Sequence, residues 1–242
     1  MPQGSDLQGS ELNTSAPDGV EHGPLPEVLT QEPGYPVIAV IALGANLGDV
    51  VETLALARAE IAALDGVTVT GESPMVVTDP VGGPEGQPEY LNQVVEVSTT
   101  LSPAALLERL QRIESEHGRT REVRWGARTL DLDVITFGSV VSEHPLLTLP
   151  HPRALERGFV VIPWSWMDPG AFVGSESVFR VARELEPLGG VRPYMDPAHR
   201  LPDSRDAAAT DTGATSAAAD TEAAEAATSG TGSFDDDGAS AS

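Results

Sequence analysis

Apolar positions along the chain fall into runs whose period changes, and those changes mark the elements. Residues 37–43 read V-I-A-V-I-A-L, a nearly unbroken apolar run that suits a strand buried on both faces. Gly44-Ala45-Asn46-Leu47-Gly48-Asp49 then turns the chain, with Asp49 placed to cap a helix over about 50–64, where Leu54, Leu56, Ile61 and Leu64 recur among alanines. Gly66 ends that helix, and residues 67–77 and 91–100 predict two further strands. Ser102, with Pro103 at the first helical position, opens a second helix in which Leu106, Leu107, Leu110 and Ile113 keep helical spacing up to Gly118. Leu130-Asp131-Leu132-Asp133-Val134 alternates with period two and predicts a fourth strand. A turn near Gly138-Ser139, a short helix up to Arg157, the apolar run 159–162 and a last helix over 178–187 follow. The order β-α-β-β-α-β predicts an α+β fold, a ferredoxin-like core with C-terminal additions.

Composition separates this core, residues 37–196, from its flanks. Residues 1–36 are rich in Gly, Pro, Ser and Glu, with six acids and no base, and predict a disordered N-terminal arm. Residues 197–242 carry nine acids against two arginines, contain few large apolar side chains, and predict a disordered acidic tail. The whole chain has a net charge of −23, and 22 acids with 12 bases leave −10 for residues 37–196. So acidic a surface argues against a broad nucleic-acid or anionic-membrane footprint. The chain has no lysine, which excludes a Walker A loop and a Schiff-base lysine. Having no cysteine, it has no disulfide and no thiolate metal site. The absence of a signal-peptide pattern and of any apolar run near 18 residues predicts a soluble, cytoplasmic protein.

Against that acidity, four of the fourteen basic residues, Arg119, Arg121, Arg124 and Arg128, fall within ten positions just before Asp131 and Asp133. Strand alternation turns both carboxylates to one face, with Cα atoms roughly 6.6 Å apart at about 3.3 Å per residue. Two hard oxygen ligands on a strand suit Mg²⁺, which leaves its other positions to water and phosphate. The neighbouring guanidiniums supply forked donors for phosphate oxygens. The same residues also suit an edge strand whose carboxylates pair with surface arginines. Residues 78–90 hold three prolines and three glycines, a loop that is either a long hairpin or a ligand lid. Gln111 and Glu114, three apart on the second helix, share one face.

The motifs taken together resemble a known family. Arg124-Trp125-Gly126-x-Arg128-x-x-Asp131-Leu132-Asp133-Val134-Ile135 is similar to the signature of the 6-hydroxymethyl-7,8-dihydropterin pyrophosphokinases. Ala42-Leu43-Gly44-Ala45-Asn46-Leu47-Gly48, Gln87-Pro88-x-Tyr90-Leu91-Asn92, Gln111-x-x-Glu114, Pro150-His151-Pro152-Arg153 and Arg157-Gly158-Phe159 match it in order, over about residues 37–170. The resemblance implies transfer of pyrophosphate from ATP to 6-hydroxymethyl-7,8-dihydropterin, releasing AMP, in folate biosynthesis. It implies that Asp131 and Asp133 hold two Mg²⁺ ions, and that Arg119 and Arg128 stabilise transition-state charge while Trp125 seals the site. Tyr90 and Phe159 would stack on the pterin, Asn92 would read its edge, and Thr78 and Val81 would add contacts from the loop. Gln111, Glu114, Arg121, Thr148, His151 and Arg157 would engage ATP. The sequence departs from the family at Ala127, where proline is usual, and at Leu146, where a phosphate arginine can occur. Neither nucleic acid nor membrane enters this reading; the partners it implies are the two small-molecule substrates. Two alternatives stand beside it. Another Mg²⁺-dependent phosphoryl or nucleotidyl transferase accounts for the aspartates and arginines but not for Tyr90, Asn92 and Phe159. A ferredoxin-like nucleotide-binding module accounts for the fold alone.

Overall fold

A strand with no polar side needs cover on both faces, and the first strand receives it. In this computed structural model, which describes residues 23–80, 86–118 and 129–196, the apolar run folds as β1 (Val37–Ala45). Ala39, Ile41, Leu43 and Ala45 join one hydrophobic cluster, and Val40 and Ala42 join another on the opposite face.

The first cluster is built by two amphipathic helices. The Asp49 carboxylate accepts the Glu52 amide at 3.0 Å and caps α2 (Val50–Ala62), which buries Leu54, Ala57 and Ile61. The Ser102 hydroxyl accepts the Ala105 amide at 3.2 Å and caps α3 (Pro103–Glu116), which buries Leu106, Leu110 and Ile113. A shorter helix precedes them: α1 (Glu27–Thr30) inserts Leu29, fully buried, into the same cluster, with Leu25 packed beside it. The expectation of a disordered arm up to residue 36 is therefore corrected from Gly23 onward. The segment is poor in apolar residues, but two leucines four apart suffice to dock one turn of helix.

The expected strand over 67–77 is two strands, β2 (Val67–Glu72) and β3 (Val76–Thr78), laid in succession on one edge of β4 (Tyr90–Thr99). The break falls at Ser73-Pro74-Met75. Proline has no ladder donor, and the Ser73 hydroxyl instead accepts the Val94 amide at 2.9 Å while Gln93 Nε2 donates to the Ser73 carbonyl at 2.7 Å. β1 pairs with β4 on one side and with β5 (Asp131–Phe137) on the other, all antiparallel.

Past β5 the chain forms the hairpin β6 (Ser142–His144) and β7 (Leu147–Leu149). The apolar run 159–162 then opens a helix, α4 (Gly158–Met167). A small hairpin, β8 (Phe172–Val173) and β9 (Glu176–Ser177), leads into α5 (Val178–Leu185). α4 and α5 form the second cluster through Val160, Val161, Ile162, Trp164, Val178 and Ala182. Trp164 is buried, whereas Trp166 is exposed. The chain returns as β10 (Val191–Pro193), which pairs with β3 and completes the sheet order β10-β3-β4-β1-β5, with β2 also on β4. The result is three layers: α2 and α3, the antiparallel sheet, then α4 and α5. Among the described residues no helix is long and apolar enough to cross a membrane. Val81, Arg119, Arg121, Trp125 and Arg128 lie outside the described residues, as do residues 1–22 and 197–242.

Candidate active site

Alternation along β5 decides where its charges go. Leu132 and Val134 enter the first cluster, while Asp131 and Asp133 face the other side and line a cavity of about 450 Å³. A bulge follows: Val40 pairs with Thr136 and Ile41 with Val134, so Ile135 is the extra residue. It joins the second cluster, and Phe137 returns to the first. Strict alternation therefore holds where the carboxylates sit and fails just beyond them.

Two contacts fix β5 at the aspartates. Across the ladder, Gly44 pairs with Asp131 and Ala42 with Asp133. From below, the Glu114 carboxylate, 2 % exposed, accepts the Leu132 amide at 2.7 Å. A glutamate that nearly buried is held by such a charge-assisted bond, here at the residue between the two aspartates. Glu114 does not line the cavity, nor do Gln111, which is exposed on α3, or Thr148, whose hydroxyl donates to the His144 carbonyl at 3.2 Å. The structure thus does not bring these three to the cavity wall, and His151 stands off it, beside Asp133.

Asp133 is contested by two basic side chains. Arg157 Nη1 donates to its Oδ2 at 2.8 Å, and His151 Nε2 lies 4.0 Å from the same oxygen. His151 Nδ1 accepts the Arg153 amide at 3.1 Å, so the neutral ring carries its proton on Nε2, toward Asp133. Burial pushes the His151 pKa below its ordinary value; Asp133 opposes that shift, and Arg157 adds to it. The Arg157 guanidinium also stands 5.6 Å from the centre of the Phe159 ring. One cation thus touches both the carboxylate corner and an aromatic wall.

The rest of the cavity includes aromatic and uncharged polar side chains. Thr78, Tyr90, Asn92 and Phe159 line it. Asn92 Nδ2 donates to the Thr78 hydroxyl at 2.9 Å, which orients the amide. Its Oδ1 lies 3.0 Å from the point a β-carbon on Gly44 would occupy. Gly44 and Asn92 are cross-strand partners, so the glycine leaves room for the amide at the cavity floor.

The donor set suits a hard divalent cation. Asp131 and Asp133 present two carboxylates on one face, and the Asp133 side chain keeps 34 % of its surface exposed. Among the described residues there is no group of three or more acidic or histidine side chains that would hold a metal unaided. Two carboxylates leave the other positions of an ion here to further oxygen donors, as water and phosphate supply to Mg²⁺.

Sequence reasoning missed several lining residues. Gly189, Gly190 and Val191 arrive with the chain's return to β3, more than a hundred residues after Thr78. The Gly-Gly pair signals a turn, yet no local pattern says what that turn faces. Arg153 also lines the cavity and received no role, although it belongs to a quoted motif.

A family profile described as 7,8-dihydro-6-hydroxymethylpterin-pyrophosphokinase matches residues 40–169. The 2-amino-4-hydroxy-6-hydroxymethyldihydropteridine pyrophosphokinase of Bacillus subtilis is 51% identical over 126 residues, covering 52% of this chain and 75% of that protein. The Haemophilus influenzae protein of the same name is 43% identical over 127 residues, covering 52% of this chain and 79% of its own. Among solved structures, Plasmodium falciparum HPPK-DHPS with pteroate superposes with a TM-score of 0.52 at 11% identity, over 65% of this chain and 46% of that one. At that identity the likeness concerns the fold alone, and this chain spans less than half of that longer protein.

Proposed function

Because the chain belongs to the 7,8-dihydro-6-hydroxymethylpterin-pyrophosphokinase family, we infer that the cavity over Asp131 and Asp133 is where it carries out that family's reaction. A pyrophosphoryl group passes from ATP to the hydroxymethyl oxygen of 6-hydroxymethyl-7,8-dihydropterin, in folate biosynthesis. The new bond joins that oxygen to the β-phosphorus, and the bond from the same phosphorus to the oxygen shared with the α-phosphate breaks, releasing AMP.

The observation that carries the assignment is that one cavity holds both requirements. Paired carboxylates stand at one part of it, an aromatic-and-amide slot at another, and Arg157 reaches both. Asp131 and Asp133 would hold two Mg²⁺ ions, which when bound neutralise the triphosphate and help align it for in-line displacement. Glu114 keeps that part of β5 in place through the Leu132 amide, a positioning task rather than the direct ATP contact implied by resemblance. Arg157 exchanges Asp133 for phosphate oxygens as nucleotide arrives, and His151, with its proton on Nε2, donates to the same phosphates.

Tyr90 and Phe159 hold the pterin ring between them. Asn92, with its amide oriented by Thr78, matches the donor and acceptor pattern of the pterin edge. Val81 adds a backbone contact. Arg119 and Arg128 meet the charge that develops in transfer, Arg121 binds ATP, and Trp125 closes the site against water. Gln111 and Thr148 stand off the cavity wall, and only the resemblance supports a role for them with the nucleotide. The strand order and antiparallel pairing support reading the core as ferredoxin-like. Residues 37–196 form the catalytic domain, entered through α1, with acidic flanks that have no part in the chemistry.

Binding of a non-hydrolysable ATP analogue, measured with Mg²⁺ and with EDTA, tests this reading. Wild type should lose affinity in EDTA, and both Asp131→Ala and Asp133→Ala should bind weakly even with Mg²⁺. Binding that ignores both the metal and the aspartates would instead identify a nucleotide-binding module.

A further inference from the structure

The family profile ends at residue 169, yet the cavity wall does not. After α5 the chain turns at Gly189 and Gly190, with φ of 76° and 82°, a backbone region that side chains rarely adopt. It then runs as β10 along the outer edge of β3, and Gly189, Gly190 and Val191 all line the cavity.

Register sets where this strap touches. Val191 pairs directly with Thr78, and Thr78 pairs on its other side with Tyr90. Val191 Cγ2 lies only 3.1 Å from the point a β-carbon on Gly158 would occupy, so Val191 packs against the start of α4, one residue before Phe159. The valine therefore stands between the Thr78 edge and the start of α4. Arg192 pins the strap from outside by pairing with Glu89 and, at 3.6 Å, with Asp79. Those two acids are the chain neighbours of Tyr90 and Thr78. The Tyr194 amide adds a bond to the Met75 carbonyl at 2.9 Å.

We propose that residues 189–191 form a wall of the pterin slot, with Val191 as a specificity-determining residue and Arg192 as the positioning residue that holds the wall against β3. The proposal rests on the pterin reading of the cavity given above. A side chain larger than valine at position 191, which lines the cavity beside Thr78 and Gly158, would occupy space meant for the flat ring. Loss of Arg192 would loosen the strap, which the β3 ladder still holds, without touching the carboxylate corner.

The test is equilibrium binding on the full chain. Fluorescence of 6-hydroxymethylpterin would report the pterin slot, in the presence of Mg²⁺ and α,β-methylene-ATP, and a fluorescent ATP analogue would report the nucleotide site separately. Val191→Phe should weaken pterin binding by at least about tenfold and leave nucleotide affinity unchanged. Arg192→Ala removes only exposed ion pairs, which add little to stability, and should weaken pterin binding by a smaller factor, again sparing nucleotide. Retained nucleotide binding shows that each variant is folded. Pterin affinity equal to wild type in both variants would overturn the strap while leaving the pterin site intact. Equal loss of both ligands in Arg192→Ala would also overturn it, because the effect would then be general. A wild-type chain that binds nucleotide but no pterin would overturn the underlying reading, and the strap with it.

Discussion

Asp133 shows how a single residue can carry two duties. Its Oδ2 is paired with Arg157 at 2.8 Å, and both side chains remain partly exposed, at 34 % and 22 %. Such a pair contributes about 0.2–1 kcal/mol. Asp133→Asn should therefore shift stability by no more than that in thermal unfolding. Its effect on turnover should be far larger, because a lost metal ligand removes several kcal/mol of transition-state stabilisation, a fall of roughly a hundredfold or more. His151 gives a pH prediction for the metal-free chain. Burial, the largest cause, lowers its folded pKa below the unfolded value of about 6.5, so below that pH the unfolded chain binds the proton more tightly. Stability then declines as pH falls from about 6.5 through the lowered folded pKa. His151→Gln should flatten that part of the curve in denaturant titrations at successive pH values. Gly44→Ala places a β-carbon 3.0 Å from Asn92 Oδ1; pterin affinity should drop, while nucleotide affinity measured in parallel holds.

Elements were legible where the sequence carries local signals and obscure where distant contacts decide. Asp49 and Ser102-Pro103 announced α2 and α3 because capping is chemistry between neighbours. The alternation around Asp131 and Asp133 gave β5 and its two faces for the same reason. Ser73-Pro74 splits a strand that looked continuous, because the serine is recruited by Val94 from twenty-one positions away. Leu29 looked like part of a polar arm, because its burial depends on the α2 and α3 cluster it joins. Leu29→Ala should cost about 2–5 kcal/mol, as truncations of buried leucine do; an unchanged melting temperature would show that α1 does not dock. Glu114 offers a second test at this scale. Glu114→Ala strands the Leu132 amide and should cost about 1–3 kcal/mol, whereas Glu114→Gln keeps an acceptor and should recover most of that loss.

At the scale of the molecule, the fold converts distance along the chain into proximity. Three layers around a sheet bring Thr78, Asn92, Asp133 and Phe159 to one cavity, from β3, β4, β5 and α4. The ordered motifs made Asn92, Asp133 and Phe159 readable, since each motif is a short run with its own chemistry, while Thr78 lies outside them. Periodicity alone does not say that Arg157 reaches Asp133 and Phe159 together, nor that β10 walls the slot; both depend on tertiary packing. Gln111, Glu114, Thr148 and His151 mark the converse, residues grouped with ATP by resemblance that do not line the cavity, although His151 stands beside Asp133.

Phosphorus NMR of a reaction containing ATP, Mg²⁺ and 6-hydroxymethyl-7,8-dihydropterin, run beside Asp133→Ala, tests the central claim most directly. AMP and a pterin diphosphate should appear together with wild type and be absent with the variant. ADP as the nucleotide product would mean transfer of a single phosphoryl group and would contradict the account.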